Sequence, residues 1–186
     1  RRLFRSDEPL AFTLKADFKA VQKDRDPKST VTYPATIEYM ASGTLAVIPL
    51  RIRTRGHSRR SPVTCTFAPL RLEFEKDRSK GSVFDGDGSL KLGTHCRSGS
   101  EEVVLREYAI YRMFNVLTPM SFRARPAKVT YVDAATGETV ASAYALFIED
   151  DDDVAARMGG RITTLEQVIF ARVNPDALNL MMLFEY

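Results

Sequence analysis

At 186 residues, 44% of them hydrophobic, the chain can build one sizeable core with at most a small appendage. Its net charge of +3 is too weak for a bulk nucleic-acid binder, and the charge is unevenly placed: five arginines fall within residues 51–60, and residues 149–153 are an unbroken acidic run. No stretch reaches the roughly 18 apolar residues that a membrane-spanning helix needs.

In chain order, the first half reads as strands. Leu10, Phe12, Leu14 and Ala16 alternate with polar partners, whereas residues 19–32, charged and carrying Pro27, read as a loop. Ala35, Ile37 and Tyr39 alternate again. Ile48, Leu50 and Ile52 then share one face while Arg51, Arg53 and Arg55 take the other, and residues 56–62 form a turn. Leu70, Leu72 and Phe74 point inward, with Arg71 and Glu73 outward. An Asp/Gly-rich loop at residues 84–89 leads into a short apolar strand around Lys91, with Leu90 and Leu92 on its opposite face.

The second half turns helical. Ser98 and Glu101 resemble a capping box opening a helix over residues 101–117, and Pro119 follows its end. Residues 127–133 and 141–148 read as two strands joined by a turn at residues 136–138, a hairpin. Residues 163–172 read as helical. Asn174, Pro175 and Asp176 then supply an N-cap, a preferred first residue and a dipole partner for a last helix. That helix ends without a cap or glycine and is expected to continue past Tyr186. The missing initiator Met and signal-type apolar region likewise predict a trimmed or processed front.

Glu107 is the residue that least fits its place. On the helix its neighbours one turn away are Val103, Val104, Ile110 and Tyr111, so a carboxylate there needs a cation, a proton or several kcal/mol of compensation, of the order of 3–5 kcal/mol when one partner of a buried pair is lost. A strand lysine paired with a helix glutamate is also how kinase-type sites hold nucleotide phosphates, which makes Lys91 and Glu107 candidates for such a pair. The plainer expectation is that Lys91 faces solvent and Glu107 pairs with an arginine such as Arg112. Arg51, Arg53 and Arg55 are candidates for binding an anionic partner, against the plainer reading of a solvated strand face. The acidic run reads as a helix N-terminus, not a calcium loop. Cys65, Cys96, His57 and His95 lack the close spacing of a zinc site, and the two cysteines leave a bridge and two buried thiols both open.

Several short pieces occur in a fixed order: Arg53-Thr-Arg-Gly56, Pro69-Leu-Arg-Leu-Glu-Phe74, Leu90-Lys-Leu92, Leu105-Arg-Glu-Tyr108, Val129-Thr-Tyr-Val132 and Tyr144-Ala-Leu-Phe-Ile-Glu-Asp150. Together, over residues 45–186, they resemble the CotH (spore coat protein H) family of atypical protein kinases and its uncharacterised bacterial relatives. That family carries an R-G turn, a K-L strand, a helix beginning near L-R-E or L-R-N and a strand ending in Y-x-L-x-E. The resemblance implies an α+β fold. Residues 1–148 would form a β-rich, kinase-like N-lobe with one packed helix, and residues 149–186 a linker and the first helices of an incomplete helical C-lobe.

The same resemblance implies ATP and Mg2+ or another divalent cation as cofactors. Lys91 would touch phosphate, Glu107 would be its helix partner, and Glu149 would border the cleft where the lobes join. The family's catalytic base and metal ligands follow the helix that here ends the chain. They are therefore expected beyond Tyr186, leaving this portion inactive while its longer parent phosphorylates protein Ser or Thr. His57 departs from the asparagine or serine usual after R-G. Many relatives are exported, which favours an extracytoplasmic or envelope location and a Cys65–Cys96 bridge. The alternatives are a pseudokinase scaffold and a non-catalytic, β-rich envelope-associated or anion-binding module.

Overall fold

Alternation of apolar and polar residues builds most of the architecture. In the computed structural model, which describes residues 1–185, seven strands form: β1 (Leu10–Ala16), β2 (Tyr33–Ala41), β3 (Thr44–Thr54), β4 (Leu70–Phe74), β5 (Ser89–Gly93), β6 (Ala124–Asp133) and β7 (Thr139–Ile148). They close into a barrel in the order β1-β2-β3-β4-β5-β7-β6. Every pairing is antiparallel except the closing one, in which β1 runs parallel to β6 with Leu10 opposite Ala127. The fold is thus α+β and β-rich. Closure removes the unpaired edges that an open sheet would expose.

The inward rows are those the alternation marks. Leu14, Ile37, Ile52, Leu70, Leu72, Leu90 and Leu92 are buried in one core. Aromatic rings fill the barrel's axis: Phe12 stacks on Phe147 at 5.3 Å, and Phe84 sits against Tyr39, Phe74 and Phe147. The β2–β3 turn places Ser42 and Gly43 both at positive φ, as a tight two-residue hairpin with right-handed strand twist requires.

Among the described residues five helices accompany the strands: α1 (Phe18–Lys23), α2 (Lys76–Ser79), α3 (Glu101–Leu117), α4 (Asp151–Arg157) and α5 (Pro175–Glu185). α1 begins at Phe18 and runs into the segment, residues 19–32, expected to be loop. Asp17 accepts a hydrogen bond from the Ala20 amide at 2.9 Å, and Phe18 and Val21, three residues apart, bury together. α3 matches its expected span but begins after Ser100, with no side-chain cap, so the predicted capping box is not used. Between residues 163 and 172 only two 3-10 turns form, at Leu165–Gln167 and Phe170–Arg172, in place of the expected helix. Asn174 does cap α5, its Oδ1 accepting from the amides of Asp176 and Ala177.

α3 packs across β6 and β7, so those strands are buried on both faces where it lies. Val104, Ala124, Leu146 and Ile148 form this second, smaller cluster. The cysteines are bridged: Cys65 and Cys96, 31 residues apart in sequence, have Cα atoms 4.6 Å apart. The bridge ties the loop after β3 to the end of β5. Replacing both cysteines by alanine is expected to lower stability by about 2–4 kcal/mol, measured by urea unfolding, and a loss below about 1 kcal/mol would show the loop to be held by other contacts.

The Asp/Gly loop before β5 hides a carboxylate. Asp87 is wholly buried, neither oxygen has a hydrogen-bond partner, and the nearest cation is Arg1, its Nε 3.4 Å away. Gly86 is held at positive φ there, and a Cβ would come within 2.8 Å of the Arg1 guanidinium. Burial pushes the Asp87 pKa up to about 7, with Arg1 offsetting part of the rise and Asp153 adding to it. Between the ordinary 3.8 and about 7 the native state keeps a proton that the unfolded state has released, so stability falls as pH rises through that window. Asp87→Asn is expected to raise the melting temperature at pH 8 and to change it little at pH 4. An equal shift at both would assign the effect to packing instead.

Candidate functional site

Strand register, which the sequence does not display, creates the site. On the barrel's outer face Arg53 lies opposite Arg71, and Arg71 opposite Lys91. Lys91 in turn faces Ile148. Three cations therefore stand side by side, an arrangement that repels unless carboxylates are interleaved. Glu73 takes Arg53 at 3.0 Å, Asp150 takes Arg71 at 2.6 Å, and Asp151 takes Lys91 at 2.5 Å. The last two acids come from the junction of β7 and α4. The acidic run expected to open a helix does so, since Asp150 caps α4 with its side chain, and it also neutralises the strand cations.

Lys91 is buried, not solvent-facing. Its Nζ lies 4.4 Å from the centre of the Phe122 ring, a cation–π contact that compensates part of its desolvation. Phe122 lines a groove of about 630 Å³ between α3, the loop after it, α4 and α5. Ile110, Phe114, Met120 and Val154 make the groove apolar, while Glu107 and Tyr111 mark its polar end. The volume and the mixture of apolar wall and few polar groups are those of a small-molecule site.

Glu107 faces this groove but does not touch Lys91. Its carboxylate accepts from Arg59 at 3.2 Å, and Arg59 also donates to the Thr94 carbonyl at 2.8 Å. An arginine partner was the plainer expectation. Arg112, however, pairs with Asp7, and the partner that Glu107 takes comes from the turn 48 residues upstream. Nor is Glu107 centred on a buried face: of its helix neighbours Val104 is buried, while Val103 and Ile110 are exposed. The helix sits obliquely on the sheet, and only its inner edge is covered.

Glu149 is placed differently again. It is 1% exposed, accepts from the Arg123 amide at 3.1 Å, and is gripped by Arg157 through Nη2 at 2.9 Å and Nε at 3.3 Å. Arg157 also donates to the carbonyls of Ser121 and Pro119, so the pair pins α4 to the loop after α3. Neither Glu149 nor Lys91 lines the groove itself; Lys91 borders it through its contact with Phe122.

The arginine row divides as well. Arg51 donates to Thr32 and Arg53 to Glu73. Arg55, half-buried just past β3, has no side-chain hydrogen bond or ion pair among the described residues. Burial lowers its pKa, while Asp151 and Tyr111 work in the opposite direction. Tyr111 is raised, first by burial and then by Glu107, with Arg55 and Arg59 pulling it back. Arg55, Arg59 and Asp151 thus act electrostatically on one another's surroundings and on Tyr111, which with Glu107 lines the polar end of the groove. Among the described residues, no set of three or more Asp, Glu, His or Cys side chains is arranged to hold a metal ion, and no helix is long and apolar enough to cross a membrane.

Alternation located Lys91 and the arginine row but missed Phe122, Tyr111, Arg59 and the aspartate partners. The one available hint was the even spacing of Arg53, Arg55, Arg71 and Glu73 on outward positions. No family model, no curated protein and no solved structure matches the chain.

The two glutamates should separate energetically. Glu149→Ala leaves Arg157 half-buried without its partner and is expected to cost about 3–5 kcal/mol in urea unfolding. Glu107→Ala removes a partly exposed pair and is expected to cost under about 1 kcal/mol. Similar losses for both would contradict this division.

Proposed function

We propose that the chain forms the phosphate-holding part of a nucleotide site in a CotH-like kinase fold, the barrel and α3 standing as its β-rich N-lobe. The observation that carries this reading is Lys91. It is a buried ammonium on the outer face of β5, beside an apolar groove deep enough for a base, with a single exchangeable carboxylate partner. A nucleotide would lay its base along Phe122, Phe114 and Val154 and direct its phosphates toward Lys91. Charge-assisted hydrogen bonds from lysine and arginine are the usual means of holding phosphate. Glu107 would orient Arg59 at the mouth, and Glu149, through Arg157, would hold α4 and its aspartates in place.

The residues present fit the nucleotide better than they fit a divalent cation. Glu107, Asp150 and Asp151 each hold a cation of the protein, and among the described residues no ligand set accompanies them. The proposal is therefore limited to binding and orienting the nucleotide. The Cys65–Cys96 bridge supports an extracytoplasmic or envelope setting, since such bridges persist in oxidising compartments. A non-catalytic anion-binding module is the second reading, favoured by these engaged carboxylates.

Lys91→Ala is expected to weaken binding of ATP at least tenfold by calorimetry while shifting the melting temperature little, because Asp151 is half exposed and can be hydrated. Unchanged affinity would remove Lys91 from the site.

A further inference from the structure

Five cations converge where β3, β4 and β5 meet α3 and α4: Arg53, Arg55, Arg59, Arg71 and Lys91. Four carboxylates answer them: Glu73 for Arg53 and, at 3.9 Å, for Arg71, Glu107 for Arg59, Asp150 for Arg71 and Asp151 for Lys91. Arg55 is the one with no side-chain hydrogen bond and no carboxylate at ion-pair distance among the described residues, although the charges of Asp151 and Asp150 act on it from further away. An arginine withdrawn from water normally gains acceptors in return, because an unsatisfied guanidinium is costly. The main chain at Arg55 is fixed: its amide donates to the Pro69 carbonyl at 2.9 Å, and Gly56 at positive φ turns the chain immediately after it. The disulfide and Arg59 hold the far side of that turn.

We infer that Arg55 is an anion receptor, its planar fork taking two oxygens of a phosphate group that lies between it and Lys91. The inference rests on the phosphate-ligand reading above and sharpens it by naming the residue that supplies the unmet charge. Lys91 exchanges Asp151 for ligand oxygen, whereas Arg55 exchanges nothing and gains a partner it lacks. The two residues therefore differ in consequence. An arginine serving structure would cost stability when removed. One waiting for a ligand would not.

The test uses inorganic tripolyphosphate, ATP and adenosine as separate probes in calorimetry. Wild type is expected to bind tripolyphosphate and ATP, and Arg55→Gln to weaken both at least tenfold with an unchanged or higher melting temperature. Arg55→Lys should restore part of the affinity. As a check that needs no variant, tripolyphosphate should protect Arg55 of the wild-type chain from phenylglyoxal, read by peptide mass spectrometry. Equal affinity in Arg55→Gln, a lowered melting temperature with binding intact, or unprotected Arg55 in saturating tripolyphosphate would overturn the inference, and Lys91-dependent ATP binding would leave the nucleotide reading standing. If tripolyphosphate binds through Arg55 while ATP binds no tighter and adenosine does not compete, the inference holds and the nucleotide reading falls.

Discussion

Three cations fixed side by side by strand register are the constraint around which this molecule is arranged. Arg53, Arg71 and Lys91 cannot leave their positions, because the inward residues beside them, Ile52, Leu70, Leu72, Leu90 and Leu92, are the barrel core. A one-residue slip would relieve the repulsion but turn that apolar row toward solvent. Neutralisation must come from elsewhere. β4 supplies Glu73, and the chain leaving β7 supplies Asp150 and Asp151 at the moment it turns into α4. The acidic run is therefore a structural answer to the basic strand. The path of the chain out of the barrel is set by electrostatics as much as by packing.

The same constraint explains the division of labour between the two glutamates. Glu149 and Arg157 are withdrawn from water and share several backbone partners, which is the arrangement in which breaking a pair is expensive. Glu107 and Arg59 remain partly wet and can rearrange at low cost. One pair fixes α4; the other borders a groove. Burial ranks them in the reverse of the order that sequence context suggests, where Glu107 sits among apolar neighbours and Glu149 among acids.

Much of the barrel was legible because strand alternation is a local property. Leu10 to Ala16, Ala35 to Tyr39 and Leu70 to Phe74 each show a two-residue period, and each is a strand whose apolar row is buried or largely so. α3 was legible for the same reason, and α5 through the capping chemistry of Asn174. α1 was hidden because its two anchors, Phe18 and Val21, are embedded among charged residues. Barrel closure was hidden because the β1–β6 pairing joins residues more than a hundred positions apart. The candidate site was half legible. Which residues point outward follows from period, but which of them become neighbours follows from register, and so Lys91 was found while its partner Asp151 was not.

On the proposed reading, these features bear on how a ligand could be admitted without loosening the fold. A phosphate that draws Lys91 away from Asp151 would release an acid that is already half exposed, so water can take over its solvation. α4 would not follow it, since Glu149, the Asp150 cap and the Arg71–Asp150 pair hold the helix independently of Lys91. Asp151 would act as an internal substitute for the ligand, keeping the buried ammonium paired when the groove is empty. Arg55, half-buried, has no such substitute at ion-pair distance among the described residues. The row thus divides into cations satisfied by the protein, one that can change partners, and one that the fold leaves for something else.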